Sequence, residues 1–549
     1  MGTFANITRT TSVSPLIGLC IVLGLLVYRY IIFPAFLSPL SKIPNAHWSA
    51  AFSRCWILWY RSKEEETPVV HSAHQRFGPI IRIAPNEVSV NCIDGGLRNI
   101  YAGGYEKGDW YRNAFNAYGV MPMFTMPDHG AHSKRKRMLS NVYAKTTLQS
   151  SQSLTAITDV LLRQRLRPRL DALAKDGQPV ESYHLFCATT LDFVSAYIFG
   201  MRNGSGFVQQ PEMGAKFFRD YKGRQRYQFW PQELPRFTAF LGSIGLGWLV
   251  VPNWVNDANE DIETWLLSMC DKAEETLKGL ESGGKGRVED YPTVYAQLRD
   301  ALFKESKTKS ELDLPIEQLV QRQRLEVASE LLDHTAAGFD TSSITLTFLA
   351  WELSRLENKH WQDRLRAEIS DVADKHDAKA IDSLPVLHAI LMETLRLHAA
   401  IPGNQPRITP PSAVLGSSDH QTFVLPTKVR VQSQAWSLHR NPAVFPNPET
   451  WNPARWLESS YASSEAYQQH LKEMSRWFWA FGSGGRMCVG ANLAMYGTKA
   501  IVVAVWGEFV TEIVHADGMV HRGGYVAEPV GDAKGRVCVL NVEKIDKYA

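Results

Sequence analysis

A single cysteine lies in a glycine-rich loop near the C-terminal end of the chain. Residues 481–490 read FGSGGRMCVG, and a mostly apolar run, 491–503, follows them. Glycines ahead of the cysteine let the backbone approach something flat and bulky without Cβ clashes. We expect the N–H groups of the loop and the start of the next helix to face the Cys488 sulfur, which favours the thiolate, the form that ligates a metal. Arg486 offers a cation to an anionic group close by, and the alternative for the loop is a buried structural cysteine in a tight turn.

The longest helical pattern, residues 319–357, carries a second group of reactive side chains. Its middle, residues 336–342, reads AAGFDTS. Small residues there leave room beside the helix for a ligand, and the Thr341 hydroxyl can bond a carbonyl one turn back and open a groove. Asp340 beside that hydroxyl forms a pair able to pass protons inward. The alternative is a tight helix crossing at Gly338 that tolerates a polar neighbour.

Two charged residues lie among apolar neighbours on the predicted helix 384–398. Glu393 and Arg396 are three residues apart, so they share a face and can pair. A surface ion pair would contribute under about 1 kcal/mol to stability, but the apolar flanks of this pair predict burial and a need for further hydrogen bonds. Residues 451–456, WNPARW, supply a candidate partner in Arg455. We predict a structural role for these three residues.

Together and in this order, the three patterns resemble the cytochrome P450 family. The spacing F-x-x-G-x-R-x-C-x-G is similar to the family's haem-binding loop, A-G-x-D-T to its oxygen-activating helix, and E-x-x-R with P-x-R-W to its Glu–Arg–Arg triad. The resemblance implies haem b (iron protoporphyrin IX) as the cofactor, with Cys488 as the thiolate ligand of the metal and Phe481 and Arg486 as further cofactor-binding residues. It also implies that Thr341 and Asp340 are catalytic and relay protons to bound dioxygen.

Three more residues are expected at the haem by resemblance alone. Residues 401–407, IPGNQPR, are similar to the family segment that places an arginine, here Arg407, on a haem propionate. His132 and Lys136 lie one turn apart on the predicted helix 128–144, at the positions of the family's usual Trp and Arg. Because both residues differ from the usual pair, their propionate contacts rest on position only. The alternative for the basic residues of this helix is a solvated face.

The N-terminal region predicts a membrane anchor. An apolar stretch, residues 13–37, has about the twenty residues that span a bilayer. A cleaved signal peptide is the alternative, but the preceding residues are weakly basic and no small-x-small cleavage site follows. We therefore expect a short lumenal N-terminus at 1–12 with a glycosylation sequon at Asn6, the anchor at 13–37, a proline-containing linker at 38–48 and the haem domain at 49–549.

The composition is that of a globular protein with a large core. Hydrophobic residues make up 45% of the chain, and a net charge of +3 is too small to indicate a nucleic-acid partner. The 7 cysteines are scattered without CxxC spacing, which argues against a disulfide framework. The predicted fold is mainly α with a smaller β part (α+β), a single large helix-rich domain with a β-rich subregion, and a polar segment at 278–309 is expected to be flexible. Alternating runs predict strands at 80–84, 87–90, 423–426, 428–431, 510–514 and 537–542.

The resemblance implies a monooxygenase that inserts one oxygen atom from O2 into an apolar small molecule. A fungal secondary metabolite such as a terpenoid, polyketide or alkaloid is the implied substrate. Electrons would come from NADPH through a separate NADPH–cytochrome P450 reductase, because the chain carries no flavin or dinucleotide fingerprint. The implied location is the endoplasmic reticulum membrane, with a single-pass anchor in the lipid and the catalytic domain on the cytosolic face. Basic residues that are candidates for the reductase surface are Lys134, Arg135, Arg137 and Arg476.

Two other functions fit parts of the same sequence. A haem-thiolate isomerase or dehydratase acting on peroxides needs no reductase, but such enzymes can dispense with the acid–alcohol pair at 340–341. A non-catalytic haem sensor needs neither that pair nor an electron donor. Oxygenation that depends on NADPH and reductase separates the first alternative from the monooxygenase, and loss of turnover in Thr341→Ala with haem retained counts against the second.

Overall fold

A computed structural model describes residues 15–308, 316–375, 377–416 and 421–545. The predicted lumenal N-terminus and its sequon at Asn6 lie outside the described residues. Helix α1, Pro15–Val27, continues as a π-helical segment, Tyr28–Leu37, and most of the apolar side chains of both are exposed. The 21 residues Ile17–Leu37, with a mean hydropathy of 2.1, are long and apolar enough to cross a bilayer.

The body of the protein holds the end of this N-terminal helix. The buried Arg82 guanidinium donates a hydrogen bond of 2.7 Å to the Pro34 carbonyl and also binds two further carbonyls. Leu40 and Ile43 are buried among the side chains of the β-rich part. The segment predicted as a linker, 38–48, therefore packs onto the body.

Helices dominate the described chain, as predicted. After α1 they are α2 Cys55–Ser62, α3 Glu66–Phe77, α4 Asp109–Phe115, α5 His129–Leu139, α6 Lys145–Ser150, α7 Gln152–Asp159, α8 Arg167–Asp176, α9 Ser182–Phe199, α10 Pro211–Gln225, α11 Phe229–Glu233, α12 Pro235–Ser243, α13 Asn253–Glu281, α14 Thr293–Thr308, α15 Ile316–Ser354, α16 Lys359–Ser370, α17 Ala378–Asp382, α18 Pro385–Leu397, α19 Ala435–Leu438, α20 Ser464–Trp477 and α21 Ala491–Trp506. Short 3₁₀ and π-helical segments occur at Pro39–Lys42, Ile93–Ala102, Val160–Leu166, Arg226–Gln228, Gly247–Leu249, Val288–Asp290, Leu356–Asn358, Pro453–Trp456, Glu458–Ser460 and Gly484–Arg486.

The strands form small sheets beside the helical body. In the part of the chain that the structure describes they are β1 Ile80–Ala84, β2 Glu87–Val90, β3 Val180–Glu181, β4 Arg407–Ile408, β5 Ala413–Leu415, β6 Phe423–Leu425, β7 Arg430–Gln432, β8 Phe509–His515, β9 Val520–His521, β10 Pro529–Val530 and β11 Val539–Lys544. One sheet has the order β1-β2-β7-β4, with β2 and β7 parallel, and a second has the order β3-β11-β8. The pairs β5–β6 and β9–β10 are antiparallel.

Two predicted strand runs exist but do not pair with each other. The predicted strands 423–426 and 428–431 flank a turn, yet β6 pairs with β5, while β7 joins β2 and β4. Lys428 in the turn has φ +62°, a left-handed conformation that directs the chain away from a simple hairpin. The last two predicted strands do pair, as β8 and β11, with β9 and β10 inserted between them.

Two helical predictions differ from the structure. The predicted helix 128–144 is shorter in the structure, because α5 spans only His129–Leu139. The polar segment 278–309 was expected to be flexible, but its second half forms α14. Val294, Leu298 and Leu302 recur every four residues along α14 and are buried against the main core, so one face of this charged helix packs on the body.

Helix α15 runs for 39 residues through the helical body and packs against α9, α13, α14, α18 and α21. A Cβ on Gly338 would lie 2.6 Å from Val194 Cγ2 of α9. The glycine therefore permits a close helix crossing, which is the alternative weighed for it above. Ala337, its neighbour, faces the space between α15 and the cysteine loop.

Candidate functional site

A cavity of about 1150 Å³ lies between α15, α10, α18 and the cysteine loop. This volume exceeds that of a pocket for one drug-sized ligand, roughly 300–1,000 Å³. All but one of the predicted site residues line the cavity, namely Cys488, Phe481, Arg486, Asp340, Thr341, His132 and Lys136. The exception, Arg407, is buried and donates a hydrogen bond to the hydroxyl of Tyr111. Residues separated by more than 300 positions are thus brought to one space.

The cysteine loop presents the Cys488 sulfur to this cavity. The Cys488 N–H donates to the Phe481 carbonyl at 3.0 Å, which closes the loop, and Gly484 has φ +68° with no room for a Cβ beside the Tyr101 carbonyl. Cys488 is exposed to the cavity, yet desolvation by the surrounding protein raises the pKa of its thiol, while the N–H groups of Gly490 and Ala491 act to lower it. The predicted donors do face the sulfur, but burial outweighs them. A bound metal cation would supply the remaining stabilisation of the thiolate.

Two cations hold the loop against α5 and the segment before it. Lys136 Nζ donates to the carbonyls of Gly485 at 3.0 Å and Met487 at 2.9 Å. Arg486 donates to three carbonyls just ahead of α5, the shortest bond being 2.8 Å, to Met126. Lys136 therefore fastens the loop in this structure, and the propionate contact that the resemblance implies for it stays a prediction.

Three cations share one region of the site, of which Lys107 and Arg407 are buried and Arg486 is half-buried. Lys107 donates to the Phe124 carbonyl, and Arg407 donates to the Tyr111 hydroxyl at 2.9 Å. Arg486 binds only backbone carbonyls. None of the three cations forms an ion pair with a described carboxylate. Burial lowers the pKa of Lys107 well below its ordinary value, and Arg407 and Arg486 lower it further. Clustered cations of this kind fit a ligand that carries carboxylates, as the two propionates of haem do.

Two residues near these cations also bear on whether the site fits haem. Buried His132 has an Nδ1 without a hydrogen-bond partner in the described chain, and burial lowers its pKa to about 3, so the imidazole is neutral. An orphaned polar atom at the cavity wall is consistent with a bound polar group. Lys107 was missed by sequence reasoning, because it is a lone lysine outside any motif and only its burial marks it.

Asp340 and Thr341 occupy adjacent positions on α15 but make different contacts. The Thr341 hydroxyl donates to the Ala337 carbonyl at 2.8 Å, the bond one turn back that the sequence predicts. The Asp340 carboxylate is bound by Lys222, and its second oxygen accepts from Gln225 at 3.0 Å. Burial lowers the pKa of Lys222, but Asp340 and nearby Glu528 more than offset this and raise it above its ordinary value. The helix above the cavity, α10, thus holds the predicted acid.

The predicted structural triad is assembled and buried. Arg396 and Glu393 form a two-bond ion pair of 2.8 and 2.9 Å, and Arg455 Nε lies 3.2 Å from the same carboxylate. The triad connects to the cysteine loop through His439, which sequence reasoning missed. Its Nδ1 is 2.8 Å from the Arg396 carbonyl, and its Nε2 accepts from the Trp479 N–H at 2.7 Å, shortly before the loop begins.

The family relationship agrees with this geometry. A family model described as "Cytochrome P450" matches residues 262–522, which contain the acid–alcohol pair, the triad and the cysteine loop. The chain is 28% identical over 442 residues to "Cytochrome P450 monooxygenase avaI" of Aspergillus versicolor, covering 78% of this chain and 94% of that protein. It is 26% identical over 509 residues to "Cytochrome P450 monooxygenase sdnE" of Sordaria araneosa, covering 90% of both. It is also 26% identical over 489 residues to the tryprostatin B 6-hydroxylase of Aspergillus fumigatus, covering 87% of this chain and 75% of that protein.

Proposed function

We propose that the chain is a monooxygenase of the cytochrome P450 family, whose family model and relatives it matches, and that it binds haem b through the Cys488 thiolate. It inserts one oxygen atom from O2 into a secondary metabolite with an apolar skeleton. The observation that carries this proposal is the Cys488 sulfur, which lines a cavity of about 1150 Å³ beside Thr341 and faces backbone donors. Relatives named for the hydroxylation of tryprostatin B support a metabolite of that general kind.

Different residues around the cavity would bind different parts of the cofactor. Haem b, when bound, supplies the oxygen-activating chemistry. Cys488 would ligate its iron, and the cluster of Lys107, Arg407 and Arg486 would hold its propionates. Lys136 keeps the loop against α5, so the sulfur is positioned before any ligand arrives.

Protons enter the site through α15. The Thr341 hydroxyl lines the cavity and is the group that hands a proton into it. Asp340 is the adjacent acid, and Lys222 and Gln225 hold its carboxylate on the α10 side. A proton relay by way of Asp340 would therefore require a movement of α10 that releases the carboxylate from Lys222 and Gln225.

The N-terminal helix and the external electron supply belong to the same proposal. Ile17–Leu37 anchors the protein in the endoplasmic reticulum membrane, with the haem domain on the cytosolic face. There it would receive electrons from NADPH–cytochrome P450 reductase. The cysteines of the described chain, all unpaired, suit the reducing cytosol.

The decisive experiment is the difference spectrum of dithionite-reduced, CO-bound membranes. We expect a strongly red-shifted Soret band in wild type and in the control Cys55→Ser, whose cysteine is exposed on α2, and its loss in Cys488→Ser. A band that survives in Cys488→Ser, or is missing in wild type that has bound haem, would overturn the thiolate assignment.

Turnover then tests the monooxygenase against its two alternatives. Oxygenation that requires both NADPH and reductase supports the proposal, while turnover of peroxides without reductase would favour the isomerase or dehydratase. Thr341→Ala should keep haem and lose coupled oxygenation, because the hydroxyl that delivers the proton is gone.

A further inference from the structure

Arg224, an arginine that lines the cavity, has no counterion among the residues that the structure describes. Arg224 lies near the end of α10, and its side chain lines the cavity. Its Nη1 donates to Asn259 Oδ1 of α13 at 2.9 Å, and its guanidinium carbon stands 4.7 Å from the centre of the Tyr221 ring. Its Nε is buried without a hydrogen-bond partner, and its Nη2 makes no hydrogen bond to a described residue.

Three other buried arginines of the described chain have carboxylate or carbonyl partners at their Nη atoms, although the Nε atoms of Arg61 and Arg82 also lack a partner. Arg61 faces three carboxylates, Arg396 pairs with Glu393, and the guanidinium of Arg82 is taken up by three carbonyls. Among the described residues, Arg224 has no carboxylate partner, and its one hydrogen-bond acceptor is the Asn259 amide oxygen. A buried guanidinium with free donors is costly unless something charged or polar meets it.

The acids nearest to Arg224 do not meet this need. Asp340 and Glu263 attract the guanidinium from a distance, but neither lies within ion-pair range. Asp340 is already bound by Lys222 and Gln225. Burial raises the pKa of Glu263, which favours its neutral form, and burial also lowers the pKa of Arg224.

We propose that Arg224 binds a carboxylate of the substrate, so that the substrate is an organic acid with an apolar body. This inference rests on the proposed monooxygenase function. The free donors, Nε and Nη2, form the edge of the guanidinium that matches a carboxylate with two parallel hydrogen bonds. Asn259 and Tyr221 hold the guanidinium in place. The acid group is held under α10, and the apolar body extends toward Thr341 and Cys488.

A basic substrate is the opposite possibility and has its own residue. Asp333 lies on α15, eight positions before Thr341, and also lines the cavity. Burial raises the pKa of Asp333 to about 7, so a large share of this carboxyl is neutral close to pH 7. Lys107 is a nearby cation that would repel a basic substrate. Arg224 stays charged at every working pH, which makes the acid the stronger inference.

The test uses matched probes with the full-length, haem-loaded protein in detergent. Dodecanoate and methyl dodecanoate differ only at the acid group, as do abietate and methyl abietate. Dissociation constants from equilibrium dialysis, with the Soret shift as a second readout, should show at least one acid bound about tenfold or more tightly than its ester. That preference should disappear in Arg224→Gln and persist in Arg219→Gln, which removes an exposed cation from the same helix.

Several results would overturn the inference. They are equal binding of acid and ester, binding of neither acid, an unchanged preference in Arg224→Gln, or tighter binding of dodecylammonium than of dodecanoate. If Arg224→Gln fails to load haem, Arg224→Lys and Asn259→Leu take its place, and both should reduce the preference because each disturbs the two-bond geometry. The red-shifted CO band is measured on the same samples, so its presence with no acid preference removes this inference alone.

Discussion

His439 shows how one side chain joins two parts of the site. It is fully buried, and burial lowers its pKa to about 3, with Arg396 and Arg440 nearby lowering it further. The neutral imidazole is therefore present at every working pH, with one nitrogen toward the Arg396 carbonyl and the other accepting from the Trp479 N–H. This arrangement couples the Glu–Arg–Arg triad to the backbone just ahead of the cysteine loop.

Replacing His439 should loosen that loop. In His439→Leu the Trp479 N–H and the Arg396 carbonyl are left buried without partners, which should cost about 1–3 kcal/mol of unfolding free energy. Haem should also transfer faster to an acceptor protein. Urea unfolding and haem-transfer kinetics measure the two effects, with His360→Leu on the exposed face of α16 as the control. Haem transfer at the wild-type rate would show that the connection does not position the loop.

At the scale of elements, one glutamate fastens α11, which lines the cavity and is called the lid below. Glu233, at the end of α11, is buried and receives Trp110 Nε1 at 2.7 Å, Arg54 and Arg430 at 3.1 Å and Arg61 at 3.2 Å. Burial alone would raise its pKa, but Arg430 and Arg61 hold the pKa well below its usual range. The α11 segment is thereby tied to α2, α4 and β7.

Removing that charge should release the lid. Glu233→Gln keeps the shape but leaves buried arginines short of a counterion, so we expect a loss of about 3 kcal/mol in unfolding free energy. Proteolysis between α10 and α13 should accelerate as well. Asp159→Asn, which breaks an exposed pair with Arg163, is the control and should change stability by less than about 1 kcal/mol. Equal effects of the two substitutions would mean that the Glu233 cluster does not hold the lid.

At the scale of the whole molecule, the structure revises which basic residues are candidates for the proposed reductase surface. Lys134 and Arg137 are exposed, although Lys134 also pairs with Glu305 at 2.6 Å. Arg135 is not a surface candidate, because only 11% of its side chain is exposed and it binds Glu326 and Glu330. Its neighbours on α15 make it a structural residue.

Reversing the exposed charges should slow electron transfer from the reductase. The double substitution Lys134→Glu and Arg137→Glu should lower the rate of haem reduction about tenfold at low ionic strength and weaken its salt dependence, because electrostatic steering is lost. Stopped-flow reduction under CO measures the rate. The matched double substitution Lys216→Glu and Arg219→Glu on α10 should leave it unchanged, and a wild-type rate in the first variant would place the docking surface elsewhere.

Acid stability is a second property of the whole molecule. Burial lowers the pKa of His74 to about 4, with His71 one turn away acting in the same direction, and the ring binds the Gly78 carbonyl and Ser89. The unfolded chain therefore takes up this proton at a higher pH than the folded one, so stability is present above pH 6.5 and is lost as the pH falls toward 4. Asp333 and Glu352, whose pKa values burial raises to about 7, act in the opposite sense.

A single substitution isolates the histidine from these opposing acids. The unfolding free energy of His74→Gln minus that of wild type should rise by about 1.4 kcal/mol for each unit by which the pH falls between 6.5 and 4. Urea titrations at several pH values give the difference directly. A difference that is independent of pH would show that His74 is protonated in the folded protein.

Local patterns predicted the elements that carry chemistry. The bounds of β1 and β2 agree with the alternating runs, and α15 and α18 agree with their helical patterns within a few residues. Periodicity, glycine and proline act over neighbouring residues, so they are readable from the chain itself. The pairing of the strands could not be predicted in the same way. Strand β6 pairs with β5 and β7 pairs with β2, because pairing depends on which strand edges the whole fold brings together.

The sequence by itself determined the chemical groups of this protein: a cysteine in a loop shaped for a flat cofactor, an acid beside a hydroxyl, and a membrane-length helix. Only the tertiary structure decided which residues form hydrogen bonds and ion pairs with these groups. It placed Lys222 on Asp340, connected His439 to the cysteine loop and left Arg224 without a counterion among the described residues. The physical reason is that burial and charge balance are sums over groups distant along the chain, so no local spacing encodes them.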